Sequence, residues 1–172
     1  MLKSDGKIEQ IKSWGINTIR LGFMWSGAEP AENNFNMTYY DIVGDIVDSL
    51  SKHGISVLLD IHQDVLSSKF CLYDGAPTWL VEKSRVPEHA FPWPLKSGIA
   101  NNPCPYERAW GKNYLAEATG VAFDGLYHNY GGMRDAFENF LEFTGSYFKD
   151  KDILGYELIN EPWAGDIYAN PT

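Results

Sequence analysis

Apolar residues recur along this chain with two different periods. Ile8, Ile11 and Trp14 fall three apart within residues 5–14, with Asp5 placed to cap a helix and Gly15 to stop it. Residues 17–22 (NTIRLG) then read as a short strand. The strongest helical pattern covers residues 37–53, where Tyr39, Ile42, Val43, Ile46, Val47 and Leu50 form one stripe closed by Gly54. Residues 55–61 (ISVLLDI) are nearly all apolar, as expected of a strand covered on both faces. A second amphipathic helix over 133–148 gathers Met133, Phe137, Phe140, Leu141 and Phe148, and residues 153–159 (ILGYELI) give a third strand.

Strands separated by helices form βαβ units, so the expected fold class is α/β with a parallel sheet. The first strand-to-strand interval is close to the roughly 30 residues per unit of an eight-fold barrel of about 250 residues. The second is more than twice as long. Its excess lies in residues 62–132, directly after the carboxyl end of a strand, where parallel α/β folds build their sites. A long loop at that end is more often functional than decorative. The 172 residues suit one compact domain, but three strands cannot close a barrel. The expectation is therefore a partial (β/α)8 barrel.

Composition narrows the function. The net charge of −9 and the lack of a basic stripe exclude a nucleic-acid surface. No apolar run is long enough for a transmembrane segment, and residues 1–10 lack the apolar stretch of a signal peptide. Two cysteines are too few for a disulfide scaffold. Cys71 and Cys104 both fall in the long loop, as a disulfide or as two free thiols. Asn36-Met37-Thr38 is a glycosylation sequon or, equally, a helix cap. Aromatic residues reach 15% of the chain, and Trp25, Trp79, Trp93, Trp110 and Trp163 fall mostly on the loop side of the strands. There their flat faces suit sugar rings or a lipid chain, with plain packing as the other account.

Alternation along the strands locates the charge. Thr18, Arg20 and Gly22 share a face of the first strand. Leu58, Asp60 and His62 share one on the second, with Asp64 just beyond, and Glu157, Ile159 and Glu161 share one on the third. Arg20 and Asp60 are suited to pair as a structural ion pair. Five such residues converging at one end of a sheet read as an active site, because buried charge is costly unless paired. Asn160-Glu161-Pro162 ends the third strand; as a bare tripeptide it reads as a turn, but its place after an apolar strand and before Trp163 marks Glu161 as a proton donor. His62, Asp60 and Asp64 are weak metal ligands without a second His or a Cys.

Four stretches carry a resemblance: residues 20–30 (RLGFMWSGAEP), 58–71 (LLDIHQDVLSSKFC), the Pro92-Trp93-Pro94 region, and 154–166 (LGYELINEPWAGD). Over almost the whole chain they resemble the endoglycoceramidase branch of glycoside hydrolase family 5. The resemblance makes the visible strands the second, third and fourth of the barrel. It implies Glu161 as general acid/base, Asn160 as the partner of the sugar 2-hydroxyl, and Arg20 as the arginine that orients the nucleophile. His62 and Asp64 would contact the sugar beside the scissile bond, with Trp110 stacking from the long third loop; Trp163, from its residue type and its place on the loop side of the strands, is a further candidate substrate contact. Such enzymes cleave the β-glycosidic bond between an oligosaccharide and ceramide with retention, and no metal or organic cofactor is implied. A glycosphingolipid substrate also implies transient contact with lipid surfaces or micelles.

Retention needs two carboxyl groups about 5–5.5 Å apart. The resemblance implies that the second lies at the end of the seventh strand, so the expectation is a fragment that lacks its nucleophile and is inactive alone. The implied setting is secreted or lumenal, which favours the Cys71–Cys104 disulfide; closing that loop would contribute about 3–4 kcal/mol in the chain-entropy model. An endo-β-1,4-glucanase-like hydrolase and a non-catalytic glycan-binding remnant are the alternatives.

Overall fold

The apolar stripes of the two long helices are buried together with one face of the first two strands of a three-stranded sheet. The computed structural model describes residues 4–71, 74–96, 104 and 110–169. In chain order the elements are α1 (Asp5–Ser13), β1 (Thr18–Met24), α2 (Trp25–Ala28), α3 (Met37–Lys52), β2 (Ser56–His62), α4 (Thr78–Val81), α5 (Glu117–Tyr127), α6 (Met133–Phe148) and β3 (Ile153–Glu157), with short 3-10 turns between. All strand pairs are parallel and the order is β1-β2-β3. This is the α/β arrangement that the alternation of helix and strand requires.

Ile19, Leu21 and Phe23 on β1 and Val57, Leu59 and Ile61 on β2 belong to the hydrophobic core shared with the helices. Phe23 is its hub. Its ring centroid lies 5.2 Å from both Tyr39 and Tyr40 of α3, and 5.7 Å from Phe148 of α6. Trp25 stacks on Phe140 at 4.9 Å, and Phe35 stacks on Phe143 at 3.7 Å. Tyr40 is fully buried, so its hydroxyl pairs with Thr144 Oγ1 at 2.9 Å and burial raises its pKa. Much of the aromatic excess is thus core packing.

Several local expectations shift. Trp14 is exposed, because it lies past the last turn of α1 where the chain bends into Gly15. In α3 the buried stripe runs through Tyr40, Val43, Val47 and Leu50, which leaves Ile42 off its edge and exposed. Asn36 caps α3, its Oδ1 accepting from Tyr39 N at 3.2 Å. β1 and β2 each run one or two residues beyond expectation, whereas β3 stops at Glu157 so that the chain can turn toward Asn160. The segment 62–132 is less loop-like than expected. It holds α5, whose small residues let it sink almost entirely into the protein. Ala118, Val121, Ala122 and Leu126 carry the helical spacing, and Gly120 and Gly125 obscure it.

Leu154 and Tyr156 on the outward side of β3, and Leu158 just past its end, are exposed. Among the described residues no strand pairs with the outer edges of β1 and β3, and no helix is long and apolar enough to cross a membrane. Open edges beside exposed apolar side chains favour association. Residues 1–172 prepared alone should melt broadly and aggregate with rising concentration; a sharp, cooperative thermal transition of a monomer would contradict this.

Candidate active site

The inner face of the sheet carries charge because the register stacks it there. Gly22 pairs with Asp60 across β1 and β2, and Asp60 pairs with Glu157 across β2 and β3. Arg20, one pleat lower on β1, extends over β2. Its Nε donates to Glu157 Oε2 and its Nη2 to Glu157 Oε1, both at 2.7 Å, and Nη2 also donates to Asn160 Oδ1 at 2.8 Å. The same Nη2 lies 3.0 Å from Asp60 Oδ1. Its two hydrogens serve Glu157 and Asn160, so buried Asp60 Oδ1 receives the charge without an aligned hydrogen bond. The expected Arg20–Asp60 pair therefore exists inside a larger cluster whose strongest arm is Glu157.

The chain of charge continues along β2. Asp60 Oδ2 lies 2.8 Å from His62 Nδ1, and His62 Nε2 lies 3.4 Å from Asp64 Oδ2. An ionised carboxylate only accepts, so Nδ1 carries a proton. The carboxylates respond in opposite directions. Hydrogen bonding to Arg20 holds Glu157 below its usual pKa. Burial pushes Asp60 up, against the pull of His62 and Arg20. Burial and the charge of Asp74 push Asp64 up. His62, Asp64 and Asp74 offer ligand atoms within 4.8 Å of one another, a spacing that suits a cation; the contact between His62 and Asp64 uses two of those groups.

Beyond β3, Asn160 N donates to Ile61 O at 3.2 Å, which extends the pairing past the strand end. Asn160 is buried, and its Nδ2 donates to Gln63 O at 2.9 Å. Glu161 is exposed, with a left-handed backbone at φ +40°. Buried Gln63 reaches the same turn: its Nε2 donates to Asn160 O at 2.6 Å and Glu161 O at 3.0 Å, and lies 3.0 Å from Tyr114 OH. Sequence reasoning passed over both Gln63 and Tyr114. Alternation puts position 63 on the face opposite Asp60 and His62, a rule that lapses once β2 ends, and nothing local marks Tyr114.

The insertion supports this turn from behind. Gly165 has φ +96°, and a Cβ there would stand 2.2 Å from Asp124 Oδ1 of α5. A Cβ on Gly120 would stand 2.6 Å from Gly165 O. The backbones of α5 and the segment after Glu161 thus touch. Trp163 packs on Tyr114 at 5.3 Å, and its carbonyl accepts from Tyr127 OH at 2.5 Å. Burial and nearby Asp124 push the Tyr127 hydroxyl up to about 12. Trp110 is partly buried against the core. Trp25 and Trp79 pack edge to face at 5.9 Å, and both donate to Glu29. Trp93 stacks on His89 at 3.9 Å. Cys71 and Cys104 are joined in a disulfide with Cα atoms 5.4 Å apart.

Parallel strands, an insertion after β2 and a carboxylate cluster at the carboxyl edge define part of a (β/α)8-barrel. Solved structures share it. Endo-glycoceramidase II from Rhodococcus sp. in an iminocyclitol complex aligns with a TM-score of 0.74 at 24% identity, over 98% of this chain and 38% of that one. The same enzyme in a ganglioside GM3 complex aligns at 0.71, over 95% and 38%. Residues 3–169 match the family model described as Cellulase (glycosyl hydrolase family 5), and the chain belongs to that family. Endoglycoceramidases of Cyanea nozakii and Hydra vulgaris are 43% and 38% identical over 98% of the chain. The chain spans only 35% and 34% of their lengths.

Arg20→Met should destabilise the fold by about 1–3 kcal/mol, below the 3–5 expected for a fully buried pair because Arg20 is 43% exposed. The sign with pH follows from Asp60. Its raised pKa means the unpaired anion costs most at neutral pH, and the deficit should shrink as pH falls through that pKa. Urea unfolding at several pH values tests this; a deficit that grows on acidification would refute it. Gly120→Ala should cost about 1–3 kcal/mol by overpacking against Gly165 O. An unchanged melting temperature would show that α5 moves aside freely.

Proposed function

We propose that this chain forms part of an endoglycoceramidase, a retaining glycosidase that cleaves the β-linkage between an oligosaccharide and ceramide. The observation that carries the reading is Glu161, exposed at the carboxyl end of β3 and held beside buried Asn160, which Arg20 binds at 2.8 Å. Glu161 protonates the glycosidic oxygen and later deprotonates the attacking water. Asn160 Nδ2 keeps a second hydrogen for the sugar 2-hydroxyl, since only one is spent on Gln63 O. His62 and Asp64 bind the sugar next to the scissile bond. Trp163, and Trp110 within the insertion, add apolar contact for sugar or lipid.

The second carboxyl comes from outside residues 1–172. Glu157 is claimed by two hydrogen bonds from Arg20, and Asp60 is buried behind His62. In the complete barrel Arg20 orients the incoming nucleophile while Glu157 holds Arg20 in place. On this reading the piece alone is inactive, and the protein works in a secreted or lumenal setting in which Cys71–Cys104 stays oxidised.

The family model's description as a cellulase favours an endo-β-1,4-glucanase as the second reading. Both are tested on the full-length protein that contains this chain. Lactosylceramide or ganglioside GM3 should release intact oligosaccharide, and equal turnover of cello-oligosaccharides would favour the second reading. Glu161→Gln should lower kcat roughly 10²–10⁴-fold while substrate binding persists. A near-normal rate would remove Glu161 from the acid/base role.

A further inference from the structure

The acid/base reading of Glu161 leaves open what fixes its carboxyl direction, because the residue is exposed and sits in an uncommon backbone conformation. Residues other than glycine seldom adopt positive φ, and for a β-branched residue it is a genuine outlier. Three non-glycine residues do so around this turn: Glu161 at +40°, Val65 at +50° and Leu66 at +67°. They belong to two separate loops, one after β2 and one after β3, and such strain persists only where surrounding contacts over-determine it. The side chain of Gln63 joins the two. It is 3% exposed, its Oε1 accepts from Leu66 N at 2.6 Å, and its Nε2 donates to the carbonyl oxygens of both Asn160 and Glu161. The return bond from Asn160 Nδ2 to Gln63 O closes a ring between the loops.

We propose that Gln63 is the positioning residue of the acid/base, clamping the peptide units on either side of Glu161 so that its carboxyl points into the cleft. The inference rests on the acid/base reading given above. The residue type follows from the acceptors. Two backbone carbonyls require N–H donors, and the Leu66 amide requires an oxygen; a primary amide on a two-carbon stem provides both. Without the clamp the Glu161 peptide relaxes toward a commoner conformation, which swings Cβ and displaces the carboxyl. A misplacement of about 1 Å in a reacting group can cost on the order of 10²-fold in rate.

The test separates lost proton donation from general disorder. In the full-length protein, Gln63→Met removes the donors and the acceptor at similar length. Gln63→Glu keeps the oxygen for Leu66 N but sets an acceptor against the two carbonyls. Each is assayed by kcat/KM on an alkyl β-glycoside, whose leaving group needs a proton, and on a dinitrophenyl β-glycoside of the same sugar, whose leaving group does not. Both variants should lose about 10²-fold on the alkyl substrate and less than about tenfold on the aryl one. Glu161→Gln is the benchmark. If it lacks that split, the acid/base reading falls. If it shows the split while the Gln63 variants lose rate equally on both substrates, or on neither, the positioning inference alone is overturned.

Discussion

One guanidinium ties the three strands together on the inner face of the sheet. Arg20 starts on β1, passes over Asp60 on β2, grips Glu157 on β3 and ends on the side chain of Asn160. Of these groups only Asp60 is taken almost fully out of water, and a lone buried ion costs several kcal/mol, so its charge is tolerable because Arg20 and His62 lie against it. The cluster therefore depends on strand register. A slip of one residue in β2 would turn Asp60 to the outer face, into the core that Val57, Leu59 and Ile61 share with Phe23, and a slip in β3 would take Glu157 away from Arg20. Backbone pairing and hydrophobic burial set the sheet, and the arginine penalises any register but this one.

From that anchor the polarity runs along β2 toward solvent. Asp60 holds one nitrogen of His62, and His62 meets Asp64 with the other. The imidazole is thus fixed at both ends before any ligand arrives, and less ordering remains to be paid for on binding. The carboxylates within the strands, Asp60 and Glu157, lie against Arg20, while Asp64 and Glu161 lie past the strand ends. That gradient, from structural pairing to available chemistry, follows strand direction, as expected of sites built at the carboxyl ends of parallel strands.

The three strands, their order and the inward row of polar residues were legible because simple periodicities produce them: period two along strands, and a stripe along α3 and α6. The family motif marked Glu161 and its neighbours. Three features were not legible. Helix α5 carries two glycines and is buried on all sides, so it shows little amphipathic contrast. Gln63 acts after β2 has ended, where alternation no longer predicts direction. Glu157 was read as one more inward acid, yet its two hydrogen bonds to Arg20 make it the strongest arm of the cluster. For Glu157 the reason is that local pattern reports which face a residue takes, whereas partner choice depends on distance across strands.

The insertion between β2 and α6 is best understood as part of the site's framework. Backbone contact between Gly120 and Gly165 leaves no space for a side chain, so α5 and the segment after Glu161 must move together. Tyr127 and Tyr114 extend that contact to both sides of Trp163. Glu117 at the start of α5 is in turn fixed by His89 Nδ1 at 2.7 Å and by the backbone amides of Glu88 and His89. Burial opposes its charge, yet these donors hold its pKa below the usual value. A segment anchored by a buried carboxylate at one end and by close backbone packing in the middle behaves as a wall. The turn bearing Glu161 is consequently held from two directions, by the Gln63 amide from the side of the sheet and by α5 from behind.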